Sequence, residues 1–413
     1  MIIKRDYYLQ QLISSKSNNL IKIVTGIRRS GKSFLLFNLF HNHLIETGIS
    51  EDHIIEIALD DRLNKNLRDP DVILQHIHER IIDDKLYYII LDEVQMIDEF
   101  TDVLNSLLHI RNADVYVTGS NSKFLSKDVV TEFRGRGDEI HLFPLSFAEL
   151  YDSVGGDKFE LWKSYYTYGG LPGILELDSD KKKAAYLQSL HETVYLKDII
   201  ERNNLKNSEE FMELMRVMAS CIGSPCNPSK LENTFKSVKN ETLDRKTISK
   251  YLSYMEDAFL IEKSMRYDIK GRKYIGTLSK YYFQDIGLRN ALLNFRQVEE
   301  NHIMENVIYN ELRLRGFCVD VGMVEARTAK ERKQLEVDFV ANMADRRYYI
   351  QSAFAMPDDA KREQECASLK RIDDSFKKII IMRDDIKPYH DNNGFYIVGL
   401  MDFLLKPDLM EQL

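Results

Sequence analysis

The chain has 413 residues, 44% hydrophobic and 30% charged, too long for one ordinary core and too apolar for a disordered segment, so two or three folded domains are expected. Its net charge of −8 argues against a generally basic nucleic-acid coat, though it leaves room for a local basic face. No charge-free apolar run is long enough to span a bilayer, Met1-Ile2-Ile3-Lys4-Arg5-Asp6 lacks the apolar core of a signal peptide, and Cys221, Cys226, Cys318 and Cys366 make no zinc spacing; a cytoplasmic protein with free, buried thiols is expected.

Residues 20–25, 53–59, 86–91, 114–118 and 139–143 read as strands separated by helical patterns. That alternation predicts an α/β domain with a parallel, doubly wound sheet over residues 1–165. The first strand runs into Gly26-Ile27-Arg28-Arg29-Ser30-Gly31-Lys32-Ser33, and an apolar helix opens at Phe34. Strand, G-x-x-x-x-G-K-S loop and helix together make a P-loop, a phosphate cradle whose glycines let the backbone wrap an anion. Gly26, Ile27, Arg28, Arg29, Ser30, Gly31, Lys32, Ser33 and Phe34 are the expected nucleotide contacts. Lys32 would reach the β and γ phosphates and the Ser33 hydroxyl would ligate Mg2+. Arg28 and Arg29 have two readings, phosphate contacts or partners of acids on other elements.

The third strand delivers Asp92 and Glu93, the Walker B arrangement: Asp92 to hold Mg2+ through water, Glu93 to polarise the attacking water. A further strand, residues 53–59, lies between the two motifs in sequence. The fourth strand ends Val117-Thr118-Gly119-Ser120-Asn121-Ser122. It reads as a polar sensor beside the γ-phosphate, with Ser120 or Asn121 ahead of Thr118; the plainer reading is a turn and helix N-cap. In Phe133-Arg134-Gly135-Arg136, Arg136 is the candidate for stabilising transition-state charge, in cis or from a neighbouring subunit of a homo-oligomer. No Asn-Lys-x-Asp guanine motif is present, which favours ATP over GTP.

Residues 166–295 read as a helical linker and a winged-helix module. Gly169-Gly170-Leu171-Pro172-Gly173 punctuates the chain, as a connector or as a hinge into a helical linker over residues 181–203. Short helices are expected at 229–238 and 244–259, the second with helix-turn-helix texture at Thr247-Ile248-Ser249-Lys250-Tyr251-Leu252. Tyr-rich strands at 260–266 and 280–283 would form a wing. Residues 229–290 carry 13 Lys and Arg against 8 Asp and Glu, net +5. That excess suits the backbone of double-stranded DNA; the other reading is a winged helix packing against a protein partner.

Residues 296–413 open with an amphipathic helix at 301–315 carrying Glu305, followed by strands at 317–321, 335–340, 348–352, 378–382 and 395–398. Helix then acid-bearing strands is the layout of restriction-endonuclease-like domains, which gather carboxylates around Mg2+ and orient water with a lysine. Asp338 fits the first acid and Glu305 a helix ligand. In Gln351-Ser352-Ala353, however, Gln stands for the second acid and Ala for the lysine, so a degenerate, binding-only domain is expected.

The whole set resembles the predicted AAA+ superfamily ATPases of bacteria and archaea that carry a C-terminal domain of unknown function. The resemblance rests on the P-loop, Leu91-Asp92-Glu93-Val94-Gln95, Thr118-Gly119-Ser120-Asn121-Ser122, Gly135-Arg136 and Pro144-Leu145-Ser146-Phe147. It continues through Tyr168-Gly169-Gly170-Leu171-Pro172-Gly173, Tyr195-Leu196-Lys197-Asp198-Ile199, Tyr281-Tyr282-Phe283-Gln284-Asp285-Ile286-Gly287-Leu288-Arg289 and Glu336-Val337-Asp338-Phe339-Val340. It implies an ATP-binding, AAA+-like core with appended winged-helix and nuclease-like modules. Arg136-Gly137 departs from the family's usual Arg-Tyr. The resulting expectation is an Mg2+-dependent ATPase acting as a switch or motor, on DNA through its winged helix. The alternatives are a signalling or defence-type ATPase binding a protein partner and, further off, an ATP-gated nuclease.

Overall fold

Four largely apolar stretches and one polar one pair side by side as β1 (Ile21–Thr25), β2 (Ile54–Ala58), β3 (Tyr87–Asp92), β4 (Ala113–Thr118) and the polar β5 (Gly137–His141). Their order is β2-β3-β4-β1-β5, every pairing parallel. The computed structural model describes residues 3–119, 136–239, 243–327 and 332–412. Its backbone contacts divide into two units, residues 1–144 with 257–259, and residues 145–256 with 260–413.

In the first unit both faces of the sheet are covered. Ile21, Ile23, Ile89 and Leu91 pack to one side, and Val24, Tyr88 and Ile90 to the other. A strand buried on both faces reads as a continuous apolar run, which is why the pattern located β1 to β4; β5 is an edge strand with only Ile140 fully buried. Lys22 is a charged exception on β1. Its buried ammonium pairs with Asp114 on β4, whose second oxygen accepts the Tyr116 hydroxyl at 2.9 Å and the Ser17 amide at 3.0 Å. The strand between the two motifs in sequence, β2, lies outside β3 at the sheet edge; the strand between them in space is β4.

The second unit begins with the helices Phe147–Val154 and Lys158–Tyr168. The first opens on a capping box: the Ser146 hydroxyl accepts from the Glu149 amide at 3.1 Å, and the Glu149 carboxylate from the Ser146 amide at 2.9 Å. A helical run follows through Asp180–Leu190, His191–Leu196 and Lys197–Asn203. The helices Ser208–Ser220, Pro228–Thr234 and Arg245–Asp257 come next. Then β6 (Ile261–Asp268), β7 (Lys273–Phe283), β8 (Cys318–Arg327), β9 (Arg332–Met343), β10 (Arg346–Ala353), β11 (Lys377–Met382), β12 (Tyr389–His390) and β13 (Tyr396–Gly399) form one sheet, in the order β12-β13-β11-β10-β9-β8-β6-β7. The β6–β7 pair expected as a wing is therefore part of the same sheet as the later strands. β6 runs parallel to β8 over Arg266–Asp268, and the Ser264 hydroxyl donates to the Val319 carbonyl at 2.9 Å. An isolated two-stranded hairpin is marginal in water, and pairing with β8 satisfies its open edge.

The loop read as a connector or hinge is a packed junction. Gly169 has φ 77°, and a Cβ on it would meet the Asp285 carboxylate at 2.4 Å. Asp285 accepts from the Gly170 amide at 2.9 Å and the Leu288 amide at 2.9 Å. Asn290 donates to the Tyr166 and Thr167 carbonyls, each at 2.9 Å. Tyr168-Gly169-Gly170 and Asp285-Ile286-Gly287-Leu288 are thus two halves of one backbone clamp. Of the cysteines, Cys226 and Cys366 are buried and Cys221 half-buried, while Cys318 is exposed at the start of β8, unlike the expectation; all four are free thiols. Among the described residues no helix is long and apolar enough to cross a membrane.

Candidate nucleotide-binding site

β1 ends at Thr25 and the chain turns through Gly26 at φ 136°. A Cβ there would stand 2.2 Å from the Leu142 carbonyl oxygen, so only glycine lets the loop pass. Arg29 and Gly31 take left-handed conformations, φ 65° and 99°. The helical run Lys32–Phe34, Leu35–Phe40 and His41–Glu46 then begins, with Leu35, Leu36 and Phe40 buried beneath it. Its first-turn amides open towards the loop, where a helix favours an anion.

Lys32 is 5% exposed, and its ammonium donates to the carbonyls of Gly26 at 3.0 Å and Ile27 at 3.1 Å. Burial pushes Lys32 down to about 8, against the pull of the Glu93 and Asp92 carboxylates. An ammonium held by carbonyl dipoles gains by exchanging them for a full negative charge. The Ser33 hydroxyl donates to Asp92 Oδ2 at 2.7 Å. Thr118, at the end of β4, donates to Asp92 Oδ1 at 2.5 Å and accepts the Glu93 amide at 2.8 Å. Burial raises the Asp92 pKa, while these two hydroxyls act to lower it. Glu93 follows at φ 53°, and its carboxylate accepts from the Gln95 side-chain amide.

A loop cut to backbone contact, a buried ammonium and a hydroxyl–carboxylate pair form a donor set that fits a phosphate chain and its Mg2+. Of the expected contacts, Gly26, Ile27 and Ser30 are buried, Arg28 is half-buried, and Arg29, Ser33 and Phe34 are exposed. Lys32, Ser33, Asp92 and Glu93 are brought together as expected. Ser120 and Asn121 lie outside the described residues. Arg136 is not brought to the loop. Its carbonyl accepts the Ile21 amide at 2.9 Å, at the amino end of β1 where Ile21 pairs with Gly137. The P-loop leaves the carboxyl end, about 17 Å away along five extended residues. The sheet register thus sets the Arg136 backbone at the end of the sheet opposite the P-loop.

One residue was ranked low and another was missed. Thr118, ranked behind Ser120 and Asn121, is the hydroxyl that ties Asp92 to the Glu93 backbone; its signal was a polar residue closing an apolar strand. Arg5 is 4% exposed and donates to the Ser30 carbonyl at 3.2 Å and the Phe143 carbonyl at 2.7 Å. Its guanidinium lies 4.6 Å from the Tyr8 ring centroid, and the Tyr8 hydroxyl accepts the Phe143 amide at 3.1 Å. It braces the P-loop from the start of the helix Asp6–Ser14, a role that only tertiary packing reveals.

The AAA domain profile matches residues 18–151, and a domain of unknown function (DUF8612) matches residues 159–299. An uncharacterized protein of Haemophilus influenzae is 33% identical over 414 residues, covering 98% of this chain and 99% of that one. The uncharacterized protein MJ1544 of Methanocaldococcus jannaschii is 29% identical over 391 residues, covering 90% of this chain and 82% of that one. Among solved structures, the Aeropyrum pernix Orc1 protein in complex with DNA aligns at 12% identity and a TM-score of 0.29, over 71% of this chain and 92% of that one; a likeness this slight carries no argument. The parallel sheet, the P-loop geometry, the matching profile and a relative alike along its whole length agree: the chain belongs to the AAA family of P-loop nucleotide-binding proteins.

Proposed function

We propose that the protein binds ATP with Mg2+ and hydrolyses it to ADP and phosphate, as a switch or motor. The observation that carries this reading is the Ser33–Asp92 hydrogen bond at 2.7 Å, beside a buried Lys32 and a Glu93 held on the adjoining turn. When bound, Mg2+ supplies positive charge that offsets the charge on the transferred phosphoryl oxygens. Lys32 exchanges its two carbonyl partners for phosphate oxygens. Ser33 and Asp92 would hold the ion, and Thr118 keeps Asp92 and the Glu93 backbone in fixed relation. Glu93 orients the attacking water and accepts its proton. Lys32→Ala is expected to weaken ATP binding roughly 10- to 100-fold, the worth of a charge-assisted contact. Titration calorimetry on the folded variant measures this, and unchanged affinity removes the P-loop from nucleotide binding.

A second part of the reading is action on double-stranded DNA through the helix Arg245–Asp257. It buries Ile248, Tyr251, Leu252 and Met255, while Arg245, Lys246, Ser249, Lys250 and Ser253 are exposed. Arg245 is held by Glu232 at 2.6 Å, which leaves Lys246 and Lys250 to meet phosphates. Replacing both with Ala is expected to lower the slope of log affinity against log salt by roughly 2. Absence of duplex binding at low salt rejects this part in favour of a protein partner. Arg136 acting in trans requires a homo-oligomer, in which turnover per chain rises with protein concentration.

A further inference from the structure

Lys280 stands on β7 with its side chain 3% exposed. Its ammonium donates to Glu305 Oε1 at 2.8 Å, pairs with Glu336 Oε1 at 2.8 Å and lies 3.9 Å from Asp338 Oδ1. The Tyr282 hydroxyl donates to the same Glu305 oxygen at 2.8 Å, and the Ser352 amide to Asp338 Oδ2 at 2.8 Å. Glu305 comes from the helix Glu300–Leu314, Glu336 and Asp338 from β9. Gln351 and Ala353 follow on β10.

These are the elements whose carboxylates would gather a divalent ion in a restriction-endonuclease-like domain. The residues do not fit one. Mg2+ demands six oxygens at about 2.1 Å around a single centre. Here the space that Glu305 and Glu336 share is filled by an ammonium at hydrogen-bonding distance, and a divalent ion beside it would meet its full positive charge. Gln351 offers a neutral oxygen, buried and without a hydrogen-bond partner among the described residues, where a carboxylate would be needed. Ala353, in the position that the sequence pattern gives to a lysine, packs among Val337, Tyr349 and Ile380. The lysines on the following helical segments, Lys361 and Lys370, pair with Glu365 at 2.6 Å and with Glu363.

We infer that Lys280 is the resident cation of this centre: its ammonium takes the place among Glu305, Glu336 and Asp338 that a divalent ion would occupy, so the domain keeps its carboxylates as a buried ion-pair core and not as a metal-dependent nuclease site. A lysine reached from β7 compensates the acids that β9 and the helix still carry. A lysine of this kind is required whether or not the first unit turns over ATP.

The test uses the full chain carrying Asp92→Asn, so that the P-loop site does not contribute, and Mn2+ as the probe. With Lys280 intact, calorimetry is expected to detect no Mn2+ binding that Asp338→Asn removes. Lys280→Met, which keeps the side-chain stem, is expected to take up Mn2+ at least about tenfold more tightly and to gain thermal stability as Mn2+ is added. Glu305→Gln combined with Lys280→Met is expected to recover stability lost in Lys280→Met, because it removes the stranded charge. Tight, Asp338-dependent Mn2+ binding by the protein with Lys280 intact overturns the inference. So does a folded Lys280→Met protein with no gain in Mn2+ affinity. If Lys280→Met does not fold, recovery of folding in the double variant supports the counter-ion role and failure to recover counts against it.

Discussion

Glu93→Gln is expected to leave ATP binding intact while turnover falls roughly 100- to 10,000-fold, the range that a positioned general base supplies. Glutamine matches glutamate in shape, so the frame around it should persist. The Glu93 backbone amide ties this turn to Thr118, and the Gln95 side-chain amide that the carboxylate accepts can still be received by a glutamine oxygen. Asp92 keeps both hydroxyl partners, Ser33 and Thr118. What disappears is a carboxylate able to accept the proton of water. Equilibrium binding and single-turnover hydrolysis, measured on the same preparation, separate the two effects. Unchanged turnover takes Glu93 out of the mechanism; lost binding makes it a structural residue of the site.

Asp285→Ala carries the largest expected stability effect, about 2–4 kcal/mol at neutral pH, because it strands buried backbone amides and removes a helix cap. Asp285 is 2% exposed and receives the amides of Gly170 and Leu288. Burial raises its pKa from 3.8 to about 6, with these amides pulling the other way. The folded state therefore holds this proton more tightly than the unfolded chain between about pH 4 and 6. Wild-type protein gains stability from that group as pH falls through this window, and loses it as pH rises. The penalty of Asp285→Ala should accordingly be larger at pH 5 than at pH 7.5. Urea unfolding at the two values measures it, and a penalty that shrinks on acidification contradicts the assignment.

The central strands were legible because they are buried on two faces, so Tyr87 to Leu91 and Lys378 to Met382 read as unbroken apolar runs apart from their first residues; the exposed pair Tyr389–His390 has no such run and was not expected. The P-loop and the Asp92–Glu93 turn were legible because their chemistry is local in sequence. What escaped was set by partners far along the chain. Arg5 acts on a carbonyl 25 residues away, and Lys280 on an acid 58 positions later; neither leaves a spacing to recognise. The place of Arg136 was illegible for the complementary reason: proximity in sequence to β5 says nothing about which end of the strand faces the loop. The β6–β7 hairpin looked self-contained because its own pairing is local, whereas its attachment to β8 is not.

That attachment bears on the order in which the chain can be made. β6 leaves the ribosome some fifty residues ahead of β8, its parallel neighbour at Val321–Met323, and parallel pairing cannot close until β7 and the two helices between them have crossed over. The first unit's sheet needs nothing beyond residue 141 and can form early. The second must hold Ile261–Asp268 with one side unpaired until the later strands arrive. A chain ending at residue 299, where the matched domain of unknown function stops, would keep that side open for good and offer it to the next copy. The natural cut for an isolated fragment thus lies not there but ahead of Leu145.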